Sequence, residues 1–269
     1  MRTEIVNITP ELAKLYLEKN AKNRTLAKTQ IDYFAKQMKN GQWMLTGQGI
    51  SFDVNGNLID GQHRLSAIIK ANMSVKMLVI YGLDPESFKV YDTGRKRNGG
   101  DSLSILGVEN SRSISSMISQ YHSLKSNWQT GERSQVEQKL TNTDIVNYYF
   151  EYPLFWDRIH KESYRCYCKL RILKCSVISS VAAYLIKDKG HSFDYVIDFF
   201  KMIVGIKQPT NMTIELFRNS LLKSLLSKNK TTASYKRALL IKTWNAYLNN
   251  KQMKCLKFNP EIDHFPKFK

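Results

Sequence analysis

The chain has 269 residues, of which 42% are hydrophobic and 11% aromatic. This composition is typical of a folded protein and excludes a disordered one. No apolar run approaches the roughly 20 residues that cross a membrane, and the first residues lack the apolar core of a signal peptide, so a cytoplasmic protein is expected. With 41 basic and 23 acidic residues, the net charge is +18.

Such a positive charge favours a polyanionic partner, most often nucleic acid, through counterion release and long-range attraction. The alternative is a soluble surface that is merely basic. Residues 1–105 carry 15 basic and 10 acidic side chains, whereas residues 106–269 carry 26 basic and 13 acidic ones. The excess of cations therefore lies mostly in the C-terminal part.

Two helices are predicted before residue 45. Thr9-Pro10 combines a capping side chain with proline at the first helical position. Thr25 is a candidate cap for a second helix, because apolar residues recur at helical intervals from Ile31 to Met38 and Asn40-Gly41 forms a typical helix end.

An α/β module follows these helices. Asn55-Gly56 is a strong hairpin signal between the candidate strands Gly49–Asp53 and Asn57–Asp60. A helix is predicted over Leu65–Ala71, and Val75–Tyr81 has the composition of a further strand of the same sheet. In such modules, ligands bind where strands end and helices begin.

The second hairpin strand runs into a glycine turn, Asp60-Gly61-Gln62-His63-Arg64, that opens the helix. The first N–H groups of a helix have no intrahelical partner and suit a phosphate. His63 and Arg64 add donors, and Asp60 adds a carboxylate that could hold a metal or accept a proton. We therefore predict a phosphate site at Gly61, Gln62, His63 and Arg64, with Asp60 and His63 as candidate catalytic residues.

The same turn resembles the DGQHR signature of the ParB/sulfiredoxin-like superfamily. Gly61–Ala67 is similar to the G-E-R-R-x-x-A box of ParB partition proteins, whose loop binds the phosphates of CTP. It is also similar to the G-C-H-R box of sulfiredoxins and the D-G-H-H-R box of free-serine kinases, which bind ATP. Tyr91–Arg97 and the ending around Ile241–Ala246 resemble uncharacterised phage proteins known only as ParB-like. The superfamily resemblance covers about residues 40–105, and the phage-type resemblance covers most of the chain.

This resemblance implies a nucleoside triphosphate, CTP or ATP, bound with Mg²⁺ at the Gly61 turn. It also implies DNA as a partner, and the host cytoplasm as the location of a phage-encoded protein. Gln62 stands where ParB proteins have a glutamate and sulfiredoxins have their cysteine. Sulfiredoxin activity is therefore not expected, and the neutral amide is compatible with nucleotide binding.

A basic loop comes next, in which Arg95, Lys96 and Arg97 lie between glycines that allow a close approach to a partner. The loop could contact DNA phosphates, close over a nucleotide at the Gly61 turn, or be an exposed loop made soluble by its charge. Asp92 is a second carboxylate that could approach Asp60 and share a metal with it.

From about residue 102 onward, the apolar spacing predicts helices. One strongly basic segment carries Arg165, Lys169 and Arg171 interleaved with Tyr164 and Tyr167. In such a segment the cations can bind the phosphates of a nucleic acid, and the aromatic rings can stack on its bases. An ordinary helix end with buried aromatics explains the pattern equally well.

The sequence thus predicts an α+β protein, with a small ParB/sulfiredoxin-like α/β domain at residues 1–105 and a mostly helical, strongly basic domain at 106–269. The predicted function is DNA binding with a nucleotide site at the Gly61 turn. One alternative is a metal-dependent DNA nuclease, in which Asp60, His63 and Asp92 would organise the metal. Another is an ATP-dependent phosphotransferase resembling the free-serine kinases, with Asp60 as metal ligand or base. Whether the chain forms a homo-oligomer is left open.

Overall fold

The computed structural model describes residues 1–20, 23, 25–90, 97–126, 139–227 and 232–269. Contacts between residues divide the chain into two compact units, the first ending at Lys96 and the second beginning at Arg97. Residues 97–105, which the sequence analysis assigned to the first domain, have their contacts in the second unit.

Within its described residues, the first unit contains a four-stranded mixed sheet and three α-helices. The strands are β1 (Arg2–Ile8), β2 (Ile50–Asp53), β3 (Leu58–Asp60) and β4 (Val75–Leu83); the helices are α1 (Pro10–Glu18), α2 (Lys28–Lys39) and α3 (Gln62–Ala71), with a 3₁₀ turn at Pro85–Val90 after β4. The strand order is β1-β4-β2-β3.

In this sheet, β2 pairs antiparallel with β3 and parallel with β4, while β1 pairs antiparallel with β4. The hairpin around Asn55-Gly56 and the placement of β4 in the same sheet are therefore confirmed. β1 was not predicted. In this edge strand, Ile8 is buried, Val6 is half-buried and the other residues are exposed. Its sequence, RTEIVNI, does not alternate apolar with polar residues, which is the pattern that identifies a strand.

The core of the first unit fixes the start of α3. Ile8, Ile50 and Val79 of the strands are buried in one apolar cluster with Leu65 and Ile68 of α3. Because these side chains are held at the sheet, the glycine turn that begins α3 is held as well.

The predicted helix caps of the first unit have different outcomes. The Thr9 side chain accepts a hydrogen bond from the Leu12 N–H at 3.2 Å, as expected of a cap on α1. The prediction for Thr25 is wrong, because α2 begins after Ala27 and has no side-chain cap. The predicted end of α2 at Asn40 is confirmed.

The second unit contains eight α-helices among its described residues. They are α4 (Gly99–Ile105), α5 (Ser111–Ser126), α6 (Asn142–Glu151), α7 (Pro153–Lys169), α8 (Cys175–Lys187), α9 (Phe193–Val204), α10 (Met212–Leu226) and α11 (Ala233–Leu248). Helix α8 packs against α5 and α7, and its residues Ile178–Leu185 are all buried. The α+β class and the helical C-terminal region are thus confirmed.

The last residues pack on the second unit. Leu256, Phe258 and Phe268 are buried in its apolar cluster, and the Lys242 ammonium lies 3.0 Å from the Asp263 carboxylate. No helix in the described parts of the chain combines the length and the apolar content that a bilayer span requires.

Candidate functional site

The turn at Gly61 joins β3 to α3 in a conformation that glycine adopts most easily. Gly61 has a φ of +108°, in the left-handed region. A Cβ atom at this position would lie 2.5 Å from Cδ1 of Ile50. Among the described residues, no side chain caps α3 at this end. The turn is therefore specified by backbone conformation and close packing, and its uncapped helix end agrees with the predicted phosphate site.

Arg64, the main predicted phosphate ligand, is tied to other groups of the first unit. Its Nη2 donates to Oδ2 of Asp60 at 2.6 Å and to the carbonyl oxygen of Gly49 at 2.7 Å. The Arg64 side chain is only 11% exposed. These contacts join the turn to the loop before β2, and a phosphate would compete with Asp60 for the guanidinium.

Gln62 and His63 are also engaged inside the first unit. The Gln62 Oε1 accepts a hydrogen bond from the Asn20 amide at 3.1 Å. The His63 Nε2 accepts one from the Ala27 N–H at 2.9 Å, so this nitrogen carries no proton in the structure. Both side chains are buried. Their hydrogen bonds connect α3 to the segment between α1 and α2. The catalytic role of His63 stays a prediction.

The predicted metal ligands are Asp60 and Asp92. The Asp60 side chain is 33% exposed and paired with Arg64, and a carboxylate already neutralised by a guanidinium is a weaker ligand for Mg²⁺. Asp92, like Arg95 and Lys96, lies outside the described residues. In the parts of the chain that are described, no cluster of three or more His, Cys, Asp or Glu side chains could hold a metal ion. The metal site therefore stays a prediction.

A row of exposed cations lies on α7. Lys161, Arg165 and Lys169 are all exposed and follow each other at four-residue spacing, which places them on one side of the helix about 6 Å apart. We call this row, with the neighbouring Tyr164, the α7 basic face. Lys161 was not among the predicted residues, although its spacing from Arg165 could have identified it.

One acidic residue accompanies these cations. Glu162 lies 3.1 Å from Arg165 and 3.4 Å from Lys201. Burial opposes the ionisation of Glu162, but the Arg165 hydrogen bond and the Lys201 charge hold its pKa below the ordinary value. The Arg165 side chain is 64% exposed, whereas that of Glu162 is 17% exposed. A pair whose arginine is largely in water contributes about 0–1 kcal/mol, so a phosphate can compete with Glu162 for Arg165.

Aromatic rings accompany the cations. The ring of Tyr164 stacks on His160 with centroids 6.0 Å apart, and the ring of Tyr167 lies 6.3 Å further along. The Arg171 guanidinium is 5.5 Å from the Tyr167 ring centroid. Tyr164 is 52% exposed and Tyr167 is half-buried. The sequence left two interpretations open, a nucleic-acid contact and an ordinary helix end with buried aromatics. The second does not hold for Tyr164, because this ring is exposed.

The remaining predicted contacts are Arg97 and Arg171. Arg171 is exposed in the connection between α7 and α8, with its guanidinium 5.5 Å from the Tyr167 ring. Tyr167 is two residues from both Arg165 and Lys169, so it lies on a different side of α7 from the basic face. Arg97 is exposed before α4, and its carbonyl oxygen accepts a hydrogen bond from Asn142 at 3.1 Å. The structure thus places Arg165 and Lys169 on one side of α7, with Arg171 beside Tyr167.

Comparison with known proteins gives no match: no protein-family model, no curated protein and no solved structure is similar to the chain. The resemblance to the ParB/sulfiredoxin-like superfamily, which rests on the Gly61 turn together with Tyr91–Arg97 and the ending around Ile241–Ala246, therefore stays a prediction.

Proposed function

We propose that the protein binds DNA through the α7 basic face. The observation that supports the proposal is the row of three exposed cations at one-turn spacing, Lys161, Arg165 and Lys169. Cations held in such a row can neutralise several phosphates at once and release their counterions, which supplies most of the affinity in non-specific DNA binding.

The surrounding sequence strengthens the charge of this surface. Between residues 161 and 174, Arg171 and Lys174 add two further cations, and Glu162 is the one acidic residue. Both added cations are exposed. Since Glu162 is shared between Arg165 and Lys201, it can neutralise only part of the charge. The surface fits a polyanion better than a neutral or cationic partner.

Salt titration of binding to a short labelled duplex tests this proposal. We expect the logarithm of the association constant to fall steeply with the logarithm of the salt concentration. A variant with Lys161, Arg165 and Lys169 changed to alanine should bind more weakly, with a slope shallower by about 2.7, or about 0.9 for each lost phosphate contact.

A matched control removes the same charge elsewhere. Lys14, Lys28 and Lys39 of α1 and α2 are exposed, and changing all three to alanine should leave the slope near that of the wild type. Equal losses in the two triple variants would show that total charge, rather than the α7 basic face, drives binding. Failure of the wild-type protein to bind DNA of either form, duplex or single-stranded, at low salt would remove the proposal.

The second component of the proposal is a nucleotide, CTP or ATP with Mg²⁺, at the Gly61 turn. Two observations support it. The first turn of α3 has no side-chain cap among the described residues. The Arg64 Nε also has no hydrogen-bond partner among the described residues. Because this atom is buried, the side chain would have to shift for a phosphate oxygen to reach it and satisfy it. Arg64 would then bind a phosphate in addition to Asp60.

Calorimetric titration with CTP and ATP, with and without Mg²⁺, tests the nucleotide component. In Asp60→Asn the competing charge is gone, so we expect nucleotide affinity to rise about tenfold, the lower end of the worth of one charged hydrogen bond. The nuclease and phosphotransferase alternatives predict instead a Mg²⁺-dependent reaction that Asp60→Asn abolishes. Absence of nucleotide binding in both proteins would leave only the DNA component.

A further inference from the structure

A row of planar side chains, which we call the ladder, runs along α7 and includes one arginine just after it. The binding of duplex DNA alone does not require such a row. His160, Tyr164, Tyr167 and Arg171 follow each other at intervals of three or four residues, and each planar group lies about 6 Å or less from the next. Helical side chains lean toward the N-terminus, so Tyr164 lies over His160. Within this ladder, Tyr164 is three residues from Lys161 and borders the α7 basic face, whereas Tyr167 lies further round the helix.

The contact between Tyr164 and His160 leaves part of the tyrosine ring available. Their rings are 20° from parallel with centroids 6.0 Å apart, whereas rings stacked directly over each other would be about 3.5 Å apart. The stack is therefore strongly offset, which agrees with the 52% exposure of Tyr164. An uncovered part of an aromatic ring can receive another flat group.

The position of Tyr164 is also fixed. His160 beneath it is only 6% exposed, so the supporting ring is held by the core. The Tyr164 hydroxyl shares a hydrogen bond with the Cys168 thiol one turn later, which raises the pKa of Tyr164. A side chain that is ordered before binding loses little entropy on binding.

From this arrangement we infer that the α7 basic face binds single-stranded DNA in preference to duplex, with Tyr164 as the platform on which one base stacks. This inference rests on the proposed DNA binding. The faces of paired bases are covered by their neighbours in a duplex, so a tyrosine ring reaches a base face only in an unpaired strand. Lys161, Arg165 and Lys169 would contact the phosphates on either side of that base.

Binding of one labelled pyrimidine-rich strand, alone and annealed to its complement, tests the inference. The wild-type protein should bind the single strand more tightly. Tyr164→Ala should lower the affinity for the single strand roughly tenfold or more, as expected for the loss of one base–aromatic stack, and should leave the affinity for the duplex nearly unchanged. Tyr164→Phe keeps the ring and loses only the hydroxyl contact with Cys168, so it should retain most of the affinity for the single strand.

Two further measurements make the outcome decisive. Phe150 of α6 is an exposed aromatic outside the ladder, 50% exposed, and Phe150→Ala should affect neither form of DNA. A single strand with 2-aminopurine at its centre should lose fluorescence on binding to the wild type and to Tyr164→Phe, but not on binding to Tyr164→Ala.

The results also separate this inference from the proposal on which it rests. Equal affinity of the wild type for the two forms of DNA, or an equal loss for both forms in Tyr164→Ala, would overturn the stacking role while DNA binding remained. Unchanged 2-aminopurine fluorescence on binding to the wild type would overturn it as well. If the wild type bound neither form, the proposed function itself would fail.

Discussion

The Gly61 turn and the α7 basic face contain similar side chains in opposite surroundings. Arg64 is 11% exposed and donates to both a carboxylate and a backbone carbonyl. Arg165 is 64% exposed and pairs with one carboxylate that it shares with Lys201. An arginine with two internal partners is already engaged within the fold, and a phosphate has to compete with those partners. An exposed arginine in a row of cations is open to a partner. Exposure and pairing distinguish the two environments, and residue type does not.

The largest effect that would sharpen this comparison is expected at Gly61. Gly61→Ala forces a side chain into a left-handed conformation and against Ile50, with a Cβ distance of 2.5 Å, so we expect a loss of about 3 kcal/mol in the free energy of unfolding. Gly56 also has a positive φ, of +80°, but a Cβ atom added there would meet nothing within 4 Å beyond its own chain neighbours.

Urea unfolding of Gly61→Ala and Gly56→Ala measures the two contributions. Gly56→Ala should cost about 1 kcal/mol, the conformational strain alone. The difference between the variants then reports the close packing of the turn on Ile50. Similar losses in both would mean that the turn can move away from Ile50, and that it is held less rigidly than the structure indicates.

The next effect concerns the Arg64–Asp60 pair. Arg64→Ala, Asp60→Ala and the double variant form a thermodynamic cycle, in which we expect a coupling energy of about 2 kcal/mol because the pair is largely shielded from water. The same cycle for the pair Arg165–Glu162, whose arginine is 64% exposed, should give a smaller coupling energy of about 0–1 kcal/mol. Equal coupling energies would break the contrast between an internal arginine and an exposed arginine.

The sequence predicts the local parts of this structure better than the contacts of the site. The hairpin could be predicted from Asn55-Gly56, because the turn chemistry lies within the turn itself. The partners of the motif could not: Arg64 reaches Gly49, Gln62 reaches Asn20 and His63 reaches Ala27. These contacts depend on how the first unit folds together, and five motif residues do not specify them.

The α7 basic face was partly predictable because, unlike the contacts of the Gly61 turn, it does not depend on distant parts of the chain. Its residues lie on one helix, so their common side follows from spacing alone, and that spacing extends from Arg165 to Lys161 and Lys169. The sequence could not show that Tyr164 is exposed while His160, one turn earlier, is buried. That difference depends on which side of α7 packs into the core.

The smallest effect is the pH dependence that His160 adds to stability. Burial lowers the pKa of His160, and the charge of Asp157 opposes this only in part. The folded protein therefore binds a proton less readily than the unfolded chain, in which histidine has a pKa of about 6.5. Above pH ~6.5 His160 is neutral in both the folded and the unfolded state, so it adds no pH dependence to the free energy of unfolding. Below that pH, stability falls as pH falls, and this fall ends once pH is lower than the pKa of the folded state.

The free energy of unfolding of the wild type and of His160→Gln, measured on both sides of pH ~6.5, isolates this contribution. The wild type should lose more stability on acidification than His160→Gln does, because glutamine does not titrate. The exposed His264 offers a matched control, and His264→Gln should keep the wild-type slope. Parallel curves for the wild type and His160→Gln would mean that water reaches His160 in solution. The support that this ring gives to Tyr164 would then be looser than the structure shows, and Tyr164 would be a less rigid platform for a base.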